Sequence, residues 1–290
     1  MQTVHNIAGL RAQIANWRRA GLRIGLVPTM GNLHAGHIAL VERMRALADR
    51  VVSTIFVNPT QFVAGEDYAR YSRTLENDSR LFAQAGVDLL FAPAVGEIYP
   101  EGTENRTRVE VPALDGRLCG AFRPGHFPGV ATVVTKLFNL VRPDLAIFGE
   151  KDYQQLLVIK RLVRDLFMPI EVVGHSTVRE ADGLALSSRN AYLSPDERAI
   201  APQLYAALQS AARALAAGDE DFEELEKAGM QSLSDHGFKP DYFSVCSAES
   251  LMRAQADETE LVVLTAAWLG RARLIDNLRV ERLVNTRASV

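Results

Sequence analysis

The chain is 290 residues long, 48% hydrophobic and 23% charged, which suits about two ordinary globular domains. A formal net charge of −3 with no lysine or arginine cluster argues against a nucleic-acid surface; Met1 to Trp17 holds no signal-like apolar run, and the strongest such run, residues 261–269, is far too short to span a bilayer. Two cysteines, Cys119 and Cys246, make neither a disulfide framework nor a metal-ligand spacing and suit free thiols in a reducing cytosol.

In chain order, residues 22–27 predict a buried strand and 38–48 a helix, joined by the turn Pro28-Thr29-Met30-Gly31-Asn32-Leu33-His34-Ala35-Gly36-His37. Strands are expected next at 51–57, 87–92, 144–148 and 170–173, with helices over 75–85, 130–141 and 153–167. This alternation predicts a Rossmann-like parallel sheet with crossover helices over residues 1–177. In such sheets a ligand sits beyond the carboxyl ends of the strands. Three polar stretches fall there: the turn at 28–37, Asn58-Pro59-Thr60-Gln61, and Gly149-Glu150-Lys151-Asp152.

The character changes after about Val178. Ser194-Pro195-Asp196-Glu197 predicts a helix start, with Ser at the N-cap, Pro at the first helical position and Glu three after the cap. Ile200, Leu204, Leu208, Ala211 and Leu215 mark one face of that helix; Pro202 should kink it and Gly218 can end it. A second helix over 222–233 and strands at 242–246, 260–268 and 272–275, the last two joined at Gly270, complete a smaller α+β domain over 178–290. A lid is its natural role.

A strand, a glycine-bearing turn and a helix start suit an anion, because helix N-termini offer backbone N–H groups and a favourable dipole. His34 and His37 add donors on the same turn. Gly31 to Gly36 has the spacing of a GxxxxG loop, but His37 and Ile38 stand where a P-loop needs Lys and Ser/Thr, and GxGxxG is absent. What remains is His-x-Gly-His, the signature of the adenylyl-transferring superfamily that includes class I aminoacyl-tRNA synthetases. The alternative is two turn histidines without a ligand.

Lys151 could meet a phosphate across the crevice or be a solvated loop lysine. Ser187-Ser188-Arg189 could close over a triphosphate or be a polar interdomain loop. Gln61 and Gln155 offer amides that both donate and accept, suited to a small substrate with hydroxyls and a carboxylate. Asp78 is a candidate for Mg²⁺ contact or an exposed helix charge, and Arg123, before a helix, could pair with a carboxylate.

The segments LVPTMGNLHAGH (26–37), IFVNPTQF (55–62), RPGHF (123–127), FGEKDYQQ (148–155), DGLALSSRN (182–190) and AAWLG (266–270) together resemble the pantoate–β-alanine ligase family over nearly the whole chain. Ser72, where the family often has Pro, and Pro128 are small departures that touch no assigned residue. The resemblance implies ATP-dependent condensation of pantoate with β-alanine through a pantoyl-adenylate, releasing AMP and pyrophosphate. It implies that Met30, Gly31, Asn32, Leu33, His34, Ala35, Gly36 and His37 line the ATP site, with His37 as proton donor and His34 as phosphate ligand. Gly149, Glu150, Lys151, Asp152, Val178, Leu186, Ser187, Ser188 and Arg189 would also bind ATP. Gln61 and Gln155 would hold pantoate, with Gln61 also near β-alanine. Mg²⁺ would share the phosphate charge, and a cytoplasmic homodimer is implied, with neither nucleic acid nor membrane as partner. Two other functions on the same scaffold are a nucleotidyltransferase that leaves AMP on its substrate and a non-catalytic nucleotide-binding regulator.

Overall fold

The protein is described from a computed structural model that covers residues 1–282 apart from 64, 67 and 105. Residues 1–150 with 154–178 form one compact unit, and 151–153 with 179 onward form a second. Lys151, Asp152 and Tyr153 therefore cluster with the second unit, although the sequence expectation put them in the first. The expected second domain runs to residue 290, of which 283–290 lie outside the described residues.

The first unit is built from β1 (Gln2–Val4), α1 (Ile7–Arg19), β2 (Ile24–Thr29), α2 (Ala35–Arg45), β3 (Arg50–Ile55), α3 (Leu75–Ala85) and β4 (Leu89–Phe91). Three single-turn helices follow, α4 (Val95–Ile98), α5 (Pro112–Asp115) and α6 (Cys119–Phe122). Then come α7 (His126–Val141), β5 (Leu145–Gly149), α8 (Tyr153–Asp165), whose first residue belongs to the second unit, and β6 (Glu171–His175). The six strands pair in parallel in the order β1-β4-β3-β2-β5-β6. The expected α/β class is what the chain adopts.

Strands buried on both faces read as continuous apolar runs, and β2 and β3 are buried along nearly all their length. Ile24 and Leu26 face a cluster with Leu10, Ile14 and Trp17 of α1, Val134 and Phe138 of α7, and Leu156 and Ile159 of α8. Val27 faces the opposite cluster, with Leu40, Val41 and Met44 of α2 and Phe82 of α3. Gly25 is needed beneath α2, since a Cβ there would lie 2.2 Å from Met44 Sδ. The direction of winding reverses between β2 and β5, the place where open α/β sheets leave a crevice.

The sequence expectation omitted β1 and α1. Gln2-Thr3-Val4 is too short and too polar to alternate. For α1 the signal was present: the Asn6 side chain caps it by accepting from Gly9 N at 2.8 Å, and Leu10, Ile14 and Trp17 are its buried stripe.

The second unit holds α9 (Pro195–Ile200), α10 (Gln203–Ala216) and α11 (Phe222–Asp235), then β7 (Lys239–Ser247), β8 (Glu260–Leu269) and β9 (Ala272–Glu281). The three strands form an antiparallel sheet with β8 central. Leu204, Leu208 and Leu215 of α10 and Leu233 of α11 pack with Phe243, Val245, Leu261 and Val263 of the sheet. Ser194 and Glu197 form the expected capping box. The expected kinked helix is instead two helices. Pro202 has no N–H to give Arg198, so α9 stops at Ile200 and Pro202 becomes the N-cap of α10. Gly218, at φ 96°, follows the end of α10, and Gly270, at φ 54°, makes the turn from β8 to β9.

Candidate active site

At the end of β2, Thr29 Oγ1 donates to Thr54 O at 2.7 Å and accepts from Gly31 N at 3.3 Å. Gly31 and Asn32 are both left-handed, at φ 84° and 53°. The chain then enters α2 at His34, its N-cap. His34 Nδ1 accepts from Gly36 N at 3.2 Å, and His37 Nδ1 accepts from His34 N at 3.3 Å. The two histidines thus fill both halves of a capping box, with ring centroids 4.1 Å apart. A ring that accepts at Nδ1 carries its neutral-state proton on Nε2. The cap therefore sets the tautomer of both imidazoles and leaves Nε2–H as the donor on each.

This corrects the expectation that free backbone N–H groups make the anion grip. The N–H groups of Gly31, Asn32, Leu33, His34 and Gly36 all have acceptors within the protein. The two imidazoles are the side-chain donors of this turn.

Asp78 is also corrected. It is not an exposed helix charge: it is fully buried and accepts from Asn32 N at 2.9 Å, Leu33 N at 3.0 Å and Thr74 Oγ1 at 3.0 Å. Hydrogen bonds to a charged group contribute about 1.5–3 kcal/mol each, so this bracket is substantial. All three of its partners are N–H or O–H donors. Among the described residues no group of three or more His, Cys, Asp or Glu side chains is placed to hold a metal, so the side chains alone do not fit a resident Mg²⁺.

Gln61, at the end of the β3 connection, is buried and donates from Nε2 toward Met30 Sδ at 3.2 Å. Two of the predicted strand-end stretches therefore meet. Gln61 Oε1 accepts from Asn58 Nδ2 at 3.0 Å, and Asn58 Oδ1 accepts from Tyr99 Oη at 2.8 Å and Thr60 Oγ1 at 3.0 Å. Burial pushes the Tyr99 phenol up, against the lowering effect of its Thr60 hydrogen bond, so it stays a neutral donor. Asn58 and Tyr99 were not singled out from the sequence; the Asn-Pro-Thr-Gln run marked the first, and nothing local marked the second. Gly129 of α7 allows this packing, because a Cβ there would lie 2.2 Å from Thr60 O.

The Gln61 carbonyl accepts from His126 Nδ1 at 2.7 Å, and His126 Nε2 accepts from Arg123 at 2.9 Å. Arg123 does pair with a carboxylate, but it is the protein's own Glu66, held through two bonds at 2.5 and 2.8 Å. A direct grip on a substrate carboxylate is not what this guanidinium does here. Gln155 is half-buried in the first turn of α8. Its neighbour Gln154 is buried, accepting from Cys119 N and donating to Leu114 O and Arg117 O. Gly149, Glu150 and Val178 also lie in the first unit, each half-buried.

In the second unit, Lys151 is half-buried and Asp152 exposed, and the Lys151 carbonyl accepts from Asn277 Nδ2 at 3.0 Å. Next to Asn277, Asp276 receives two bonds from Arg179 at 2.6 and 3.0 Å, and the guanidinium stacks 3.6 Å from the Tyr205 ring centroid. Burial pushes the Asp276 carboxyl up, opposed by Arg179 and by the charge of Lys151. Ser187 Oγ accepts from Arg189 N at 3.2 Å and starts the turn Ser188–Tyr192. Leu186, Ser188 and Arg189 are half-buried beside it. Met30, Gln61, His34 and His37 are thus assembled in one unit, and Lys151, Ser187 and Arg189 belong to the other.

The family profile of pantoate–β-alanine ligase matches residues 2–279. The chain belongs to the pantoate–β-alanine ligase family. It is an enzyme, a ligase. Pantothenate synthetase of Alkalilimnicola ehrlichii is 57% identical over 97% of this chain and 98% of its own length. That of Thioalkalivibrio sulfidiphilus is 58% identical over the same shares. Among solved structures, pantothenate synthetase of Thermus thermophilus superposes with a TM-score of 0.90 at 51% identity, covering 96% of this chain and 99% of that one. Pantoate–β-alanine ligase of Francisella tularensis, complexed with beta-gamma ATP and β-alanine, does so with a TM-score of 0.79 at 36% identity, covering 96% and 97%. Among the described residues no helix is long and apolar enough to cross a membrane.

Proposed function

We propose that the protein joins pantoate to β-alanine in two transfers, with a pantoyl-adenylate between them. A carboxylate oxygen is a poor leaving group at neutral pH. In the first transfer, a pantoate carboxylate oxygen attacks the α-phosphorus of ATP and the bond to pyrophosphate breaks. The product is a mixed anhydride with a stable phosphate ester as its leaving group. In the second, the neutral amine of β-alanine attacks the acyl carbon, the acyl–oxygen bond breaks, and pantothenate, AMP and a proton result.

Positioning and charge stabilisation are the main contributions to such transfers. The observation that carries this reading is the His34–His37 capping box at the sheet's reversal point, which engages Nδ1 of both rings and so assigns the neutral-state proton to Nε2 of each at the start of α2. His34 would bind phosphate and His37 would donate to the oxygen that leaves. Lys151, Ser187 and Arg189 would add positive charge and a hydroxyl. The remaining ATP contacts would be Met30 to Gly36, Gly149, Glu150, Asp152, Val178, Leu186 and Ser188. Gln61 and Gln155 would hold pantoate, the former with its amide fixed by Asn58. Mg²⁺ would arrive with ATP, which suits the lack of a ligating cluster among the described residues. By resemblance to the family, the working form would be a cytoplasmic homodimer.

Pantoate-dependent exchange of pyrophosphate into ATP, measured without β-alanine, tests the intermediate. Pantoate labelled with ¹⁸O in its carboxylate should pass one labelled oxygen to AMP when β-alanine is added. Label in inorganic phosphate, with ADP as the nucleotide product, would overturn the reading.

A further inference from the structure

The mechanism above gives no part to Asp78, a fully buried carboxylate on the first turn of α3. Its Oδ1 accepts from Leu33 N and its Oδ2 from Asn32 N and Thr74 Oγ1. Turns that aim successive N–H groups at one point ordinarily make anion sites. Here the anion is the protein's own, and it arrives from a residue 46 positions away.

The backbone has been shaped to allow this approach. Gly31 and Asn32 are both left-handed. A Cβ on Gly31 would lie 3.0 Å from Asp78 Oδ2 and 3.1 Å from Ile55 Cγ2, so the turn is pressed against the carboxylate. Met30, Gly31, Thr74 and Asp78 also border a cavity of about 260 Å³. The residue after Leu33 is His34, whose N–H is held by His37. A shift of the Asn32–Leu33 peptide would therefore carry both imidazoles with it.

We infer that Asp78 is a positioning residue that fixes the Asn32–Leu33 peptide and through it the aim of His34 and His37. The inference rests on the reading that these imidazoles act on the phosphates of ATP. Asp78 itself touches no substrate in this scheme.

Asp78→Asn is nearly isosteric, but its NH₂ cannot accept from a backbone N–H. Misplacement of reacting groups by about 1 Å can cost 10²-fold. We expect kcat/KM for ATP in pyrophosphate exchange to fall about tenfold or more. KM for β-alanine in the overall reaction should stay within about twofold, since that substrate meets the acyl carbon after the phosphates have been aligned. Thr74→Val removes one donor to Asp78 and leaves both turn bonds, so a fall of about threefold in the same parameter is expected.

Unchanged ATP parameters in folded Asp78→Asn would overturn the inference. So would an equal loss in every kinetic parameter that tracks a lowered melting temperature. If Asp78→Asn does not fold, Thr74→Val decides, and an unchanged kcat/KM for ATP overturns it. A wild-type enzyme without exchange would sink the adenylate reading instead. The same variants would then be compared on kcat/KM for ATP in pantothenate formation.

Discussion

His34 and His37 each serve two purposes that single substitutions can separate. As cap residues they satisfy backbone donors at the start of α2, a contribution of about 1 kcal/mol. As Nε2–H donors they would stabilise charge on the departing pyrophosphate, where deleting one donor costs about 10²–10³ in rate. His34→Asn retains a good N-cap side chain and removes the donor. We expect its melting temperature to stay near wild type while pantoyl-adenylate formation, followed by rapid quench, falls by about that factor. His37→Ala should lose both. Unchanged rates in both variants would return the pair to turn formers. The pattern His-x-Gly-His was legible in the sequence, as were Gln61 and Lys151 as strand-end residues. Asp78 was not. Its partners Asn32 and Leu33 are distant in sequence, and Asp in the first turn of a helix reads locally as a solvated charge at the dipole. Arg123 was read as a carboxylate partner, but which carboxylate depends on a loop contact to Glu66 that no periodicity reports.

At the level of elements, the strands expected in the parallel sheet were found with ends shifted by a residue or two, whereas β7 begins three residues earlier and β9 runs six residues further than expected. Helix α3 was read at its observed bounds, because Leu75 follows a polar stretch and Gly86, at φ 85°, stops it. Pro202 shows the reverse case. An apolar face continuing at helical spacing suggests one helix, but the backbone chemistry of proline divides it in two. How the elements are fastened together was out of reach. Asp144, just before β5, accepts from Arg18 of α1 through both oxygens at 2.8 Å and from Ile24 N of β2 at 2.6 Å. Arg18 also donates to Arg142 O. Burial opposes the Asp144 charge, but the bonds from Arg18 and Ile24 outweigh it and hold the carboxyl below the usual range. A depressed folded-state value means that this carboxylate contributes stability above the ordinary carboxylate pKa, about 4, and loses it as pH falls through the lower folded value. With the Asp144 side chain 34% exposed, that contribution is of order 1 kcal/mol or less. Asp144→Asn should therefore melt lower than wild type at pH 7, with the gap narrowing on acidification below about pH 4. A gap that is constant from neutral pH into acid would contradict this linkage.

For the molecule as a whole, the two-part organisation was readable from the change in character near Val178, whereas the allegiance of Lys151–Tyr153 to the second unit was not. That allegiance comes from contacts over long sequence distances, such as Tyr153 Oη donating to Ala248 O at 2.8 Å. The metal question also belongs to this scale. With no ligating cluster among the described residues, Mg²⁺ is expected to enter only with the nucleotide. Protein dialysed against a chelator without ATP should retain no stoichiometric Mg²⁺ by elemental analysis, and Mg·ATP added with pantoate and β-alanine should restore full turnover. A tightly held ion in the nucleotide-free protein would refute that. The bond between Asn277 and the Lys151 carbonyl carries a last consequence, one for biosynthesis. The side chain that grips the Lys151 backbone is translated 126 residues after the lysine itself. The lysine thus reaches its final setting only after Asn277 has been made, and a nascent product that stops short of that residue cannot place it.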